Sequence, residues 1–88
     1  MNEETTNAGA APTRELSFGE KAVGITFNPG GMESVNKCKC IFAELIDQMH
    51  DLRNEEGCTS GMARHASTAI TMLEDAQMRA VKALTWKE

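Results

Sequence analysis

At 88 residues the chain has room for one domain and little more, and with 41% apolar and 5% aromatic residues a single copy buries little surface. A formal net charge of −4 argues against a general binder of DNA or RNA, which carries a basic balance, but leaves room for a local basic pocket. Three cysteines are an odd number for a disulfide framework, and no apolar run suits a signal peptide or a membrane span, so a reducing cytosol is the expected compartment.

Residues 1–13, MNEETTNAGAAPT, are small and polar without apolar periodicity and read as a flexible arm. The folded domain is expected over 14–88. Ser17 with Glu20 three residues later has the form of a capping box, opening a short helix through SFGEKAV that Gly24 ends. ITFNPGG follows as a loop, because Pro29 biases Asn28 away from helical angles and Gly-Gly is a turn signal.

From Met32 the spacing is helical. Val35, Cys38, Phe42, Leu45, Met49 and Leu52 recur every three or four residues, and Ile41 and Ile46 widen the apolar face. Gly57 is the expected stop, and Thr59 or Ser60 the cap of a second long helix running to about Thr85. That helix carries Met62, Ala66, Ala69, Leu73, Ala76, Ala80 and Ala83 as its seam, with Ile70, Met78, Val81, Leu84 and Trp86 off it. The expectation is an all-α fold: a short N-terminal helix, then an antiparallel two-helix hairpin. One hairpin cannot cover both apolar stripes, so a compact homo-oligomer is expected.

Such a hairpin sets Val35 level with Arg79 and Met32 with Lys82. Lys37 and Lys39 then share one end with Arg79, Lys82 and Lys87, beside the TFNPGG loop and the positive start of the first long helix. Asp47, Asp51, Glu55 and Glu56 fall at the other end. A helix start, lysines and a glycine-rich loop together suit a phosphate group. Lys37 and Lys39 lie two apart, so only one faces a given pocket. Phe27 either plugs the hairpin end or touches a ligand, and Trp86 either stacks on a base or anchors its helix.

Metal and catalytic patterns are missing from the sequence. Cys38 and Cys40 point to different sides of a helix, and Cys58, His50 and His65 lack ligand spacing. His65 has no accompanying nucleophile or orienting carboxylate, and Glu74 and Asp75 diverge around their helix. No metal, no cofactor and no enzymatic activity are expected.

The stretches GEKAVGITFNPGG, VNKCKCIFAELID and ITMLEDAQMRAVKALTW resemble the phage anti-CBASS cyclic-nucleotide sponge family, whose helical-hairpin domain is shared with the Thoeris anti-defence sponge. The likeness covers about residues 13–86. It implies a protein of the infected host's cytoplasm that sequesters cyclic oligonucleotide messengers without cleaving them, with no DNA, RNA or membrane partner. It also implies compact homohexamers, with cyclic dinucleotides between two protomers and cyclic trinucleotides in separate pockets; some relatives take cyclic ADP-ribose variants.

Residue by residue, the resemblance matches Asn36, Lys37 and Lys39 to the family's first long helix, with Lys39 on the dinucleotide. Thr13 stands where the family has a stacking aromatic, so Phe27 or Phe18 has to stack instead. Arg14 beside it is an expected phosphate contact, and Asn28 completes the set from the loop. Lys82 matches a basic residue of the trinucleotide pocket, but Ile41 replaces the threonine that helps it there. The competing expectation is a helical module that inhibits a host protein through its apolar stripes.

Overall fold

The structure, a computed structural model, describes residues 14–88. The expected arm over 1–13, and Thr13 with it, lies outside the described residues. These form three helices and no strand: α1 (Phe18–Val23), α2 (Glu33–Arg53) and α3 (Ser60–Leu84).

α1 begins as its sequence requires. The Glu20 N–H donates to Ser17 Oγ at 3.0 Å, while the Glu20 carboxylate accepts from the Ser17 N–H at 2.8 Å. It ends at Gly24, left-handed at φ 63°, whose N–H reaches the carbonyls of Glu20 and Lys21. Six residues cannot hold a helix in water alone, so the hold comes from α2. The Gly19 N–H donates to Asp47 Oδ1 at 2.6 Å. A Cβ at Gly19 would stand 2.1 Å from the Ala43 carbonyl oxygen, so only glycine admits this approach. Phe18 stacks flat on His50, ring centroids 4.1 Å apart.

α2 opens at Met32 with no side-chain cap for its first N–H groups; Asn28 Nδ2 donates to the Met32 carbonyl at 2.9 Å and ties the loop to the helix start. It ends at Arg53, before the expected glycine, because Asn54 closes the last turn with its backbone N–H and with Nδ2 on the His50 carbonyl at 2.8 Å. Gly57, at φ 88°, serves the connection instead. Thr59 caps α3, its Oγ1 accepting from the Met62 N–H at 3.2 Å.

α2 packs against both other helices. Its buried face is therefore Val35, Lys39, Ala43 and Ile46, turned part-way from the expected seam, with Phe42 and Met49 half-buried and Leu45 exposed. The core joins Val23 of α1, Ala43 and Ile46 of α2 and Ile70 of α3. Ile46, wholly buried, contributes about 2–3 kcal/mol by leaving water. On α3 the buried residues are Ala66, Ile70 and Gln77, while Met62, Ala76 and Ala83 of the expected seam are exposed. The start of α2 lies beside the end of α3: Ser34, Lys37, Cys38, Ile41 and Phe42 share an apolar groove with Ala80, Ala83 and Leu84.

Candidate functional site

Lys39 is the centre of the 24–32 segment. Its side chain leaves α2 on the inner face and is only 5% exposed. Nζ donates to the Gly24 carbonyl at 2.9 Å and to the Phe27 carbonyl. The Phe27 N–H also donates to the Gly24 carbonyl, at 2.9 Å, so the four residues form a tight turn seated on an ammonium group. An ammonium has three donors, and the turn takes two. The same Nζ stands 5.5 Å from the centroid of the Phe27 ring.

Phe27 itself is 70% exposed and stands between two open cavities that share Lys39 and Val81. One, of about 400 Å³, is lined by Lys21, Gly24, Gln77 and Met78. The other, of about 240 Å³, runs along Asn28, Pro29, Gly30, Met32 and Thr85. The first is within the size range of small-molecule sites. Together they present a bare aromatic face, a buried cation beneath it and, at the rim, the exposed Lys21, whose Nζ is 3.9 Å from Glu15 Oε2, features suited to a flat ring carrying an anionic group.

The expected residues distribute unevenly around this centre. Lys39, Phe27 and Asn28 come together. Lys37 lies on the other side of α2, against the apolar groove. Asn36 is exposed and lines none of these cavities. Lys82 is exposed too, with Nζ 5.8 Å from the Trp86 ring centroid, apart from Lys39. Arg14 is engaged by Glu20 in a two-pronged pair at 2.8 and 2.7 Å. That pair, with the Ser17 N–H, holds the Glu20 carboxyl down at about 2. Phe18 is occupied by His50 and has Arg53 5.3 Å from its ring, so of the two aromatic candidates only Phe27 is at the Lys39 site.

Sequence reasoning passed over Lys21 and Gln77, and read Met78 and Val81 only as apolar positions off the seam. Val81 and Gln77 stand four apart on the line that also includes Ile70, and that spacing was the available signal. Lys21 left a weaker one, being a cation one turn before the Gly24 stop. Among the described residues no group of His, Cys, Asp and Glu could hold a metal ion, and no helix is long and apolar enough to cross a membrane.

The fold and this centre define a small all-helical protein with a cation-and-aromatic pocket where its short helix meets the two long ones. Residues 20–85 match the family model of the Acb2/Tad1 hairpin domain, and the chain belongs to that family. A phage anti-defence sponge, a binder and not an enzyme, is the role the family implies. No curated protein and no solved structure matched the chain.

Proposed function

We propose that this protein captures cyclic oligonucleotide messengers of bacterial immunity in the cytoplasm of the infected host and holds them uncleaved. Cyclic dinucleotides occupy the Lys39–Phe27 site. The base lies against the Phe27 ring, and the phosphates meet the remaining Lys39 donor, Lys21 and the start of α2. In this reading α2 and α3 form an antiparallel hairpin, and six hairpins assemble so that a neighbouring protomer closes each pocket. Asn36, Lys37 and Arg14 then act from the rim, and Lys82 belongs to a separate trinucleotide pocket.

The observation that carries the reading is a buried cation and a bare aromatic ring sharing one cavity, in a chain of this family. Isothermal titration with cyclic di- and trinucleotides and cyclic ADP-ribose variants tests it, alongside recovery of the ligand after heat denaturation. Binding of at least one cyclic nucleotide, recovered intact, is expected. No binding across the panel, or recovery of a cleaved product, would sink the proposal.

A second reading has its own observation, the apolar groove of Ile41, Phe42, Ala80, Ala83 and Leu84. A helix of a host protein fits such a groove as well as a second copy does. Under that reading a pull-down recovers one host partner at fixed stoichiometry, and Lys39→Glu has no effect on it.

A further inference from the structure

Among the described residues, Gln77 has polar capacity that no other group uses. It sits on the inner face of α3, seven positions after Ile70 and four before Val81, where the spacing calls for an apolar side chain. It is 5% exposed, and among the described residues its carboxamide makes no hydrogen bond. A carboxamide offers two N–H donors beside an acceptor oxygen. Buried with no protein partner among the described residues, it presents this capacity to the cavity it lines.

The side chain lines the cavity bounded by Lys21, Phe27, Lys39 and Met78. An apolar ligand there leaves the carboxamide unpaired. A bare phosphate uses the lysines and at most the amide's N–H donors, and leaves the amide oxygen and the ring idle. A flat heterocycle with donor and acceptor side by side on its edge, attached to a phosphate, engages all of them at once.

We propose that Gln77 is the residue that hydrogen-bonds the base edge of the bound cyclic dinucleotide; this rests on the reading of the Lys39–Phe27 site as a nucleotide pocket. Adenine offers its exocyclic amine beside a ring nitrogen acceptor, a pattern a glutamine matches bidentately. Guanine offers a carbonyl beside a ring N–H, and the amide meets that order by turning over. A carboxylate in the same place only accepts. It opposes the ring nitrogen of adenine but suits the two adjacent N–H groups of guanine.

The test measures binding of cyclic di-AMP and cyclic di-GMP to the full chain and to its Gln77→Leu and Gln77→Glu variants, with helicity and sedimentation checked against the parent. Gln77→Leu should weaken both ligands by about 10- to 100-fold. Gln77→Glu should weaken cyclic di-AMP by a similar factor and cyclic di-GMP by about tenfold less, tilting the preference toward guanine. The unaltered protein supplies a check that needs no variant. An analogue with unsubstituted purine in place of both bases should bind about tenfold more weakly than the parent ligand.

If the parent protein binds the natural ligands while the Gln77→Glu ratio stays put and the purine analogue binds equally well, Gln77 only packs and the base contact is wrong. If the parent binds neither natural ligand, the nucleotide reading of the pocket fails and the base contact falls with it.

Discussion

The two ends of α1 meet the rest of the molecule on different terms. At its start, the Gly19 N–H is spent on Asp47, and Phe18 is stacked on His50. Arg53 lies over that same Phe18 ring and donates to Ser67 Oγ at 2.9 Å. At its end, the chain turns over a buried lysine, leaves an aromatic ring in the open and faces an amide that makes no hydrogen bond among the described residues. Both ends use polar groups to fix a short helix. The first pairs the Gly19 amide and the Phe18 ring within the fold, and the second leaves its ring facing solvent. Stability thus sits at one end of this six-residue element, and the recognition we propose at the other.

The strongest way to break that division is at the closed end. Gly19→Ala puts a methyl group against the Ala43 backbone, which cannot swing aside. The expected cost is about 2–3 kcal/mol, or on the order of 10–20 °C in the midpoint of a thermal melt followed by helical circular dichroism. An unchanged midpoint would mean that α1 does not sit on α2 as described.

At the open end the effect should be smaller and local. Lys39→Met leaves the Gly24 and Phe27 carbonyls without their ammonium donor. About 1.5–3 kcal/mol of the turn's local stability should go. Hydrogen exchange at the Phe27 amide should then quicken while amides in the middle of α2 and α3 keep their protection. Equal protection at Phe27 in both proteins would show that the lysine is not what holds the turn.

The smallest expected effect concerns acid. Glu20 is depressed to about 2 in the folded chain from an ordinary value of 4.5, first by the Arg14 hydrogen bonds and then by the Ser17 N–H. A depressed carboxyl contributes its stability in full above the unfolded value and loses it as the pH falls through the folded one. The contribution should therefore fade between about pH 4.5 and 2. The pair is solvent-facing, so the fade should be shallow. Urea midpoints across that window should fall more steeply for the parent than for Glu20→Gln. Parallel slopes would remove Glu20 from the account.

Much of this was legible because helix ends are local events. Ser17 with Glu20, the left-handed Gly24 and the Thr59 cap each need only neighbours within a few residues. Gly57 misled as a stop because Asn54 closed the turn first with its own amide. The buried face of α2 differed from the expected seam because α2 serves two neighbours, and because its lining includes Lys39, which a count of apolar residues passes over. Lys39 was singled out through the family resemblance. Its seat under the turn depends on a contact between residues fifteen apart and had no local signature. Gln77 drew no reading from the sequence for the same reason: a count of apolar positions skips a polar residue, and its burial shows only in the packing.

Gly19 and Phe27 also set different limits on how this sequence can drift. At Gly19 the backbone of another helix occupies the space any side chain needs, so every substitution is a folding defect before it is anything else. At Phe27 most of the ring faces solvent and little packing depends on it. A library randomised at both positions should thus separate cleanly. Survivors selected for solubility will keep glycine at the first and accept many residues at the second, so under the proposed reading Phe27 is the place where a change of captured molecule can begin.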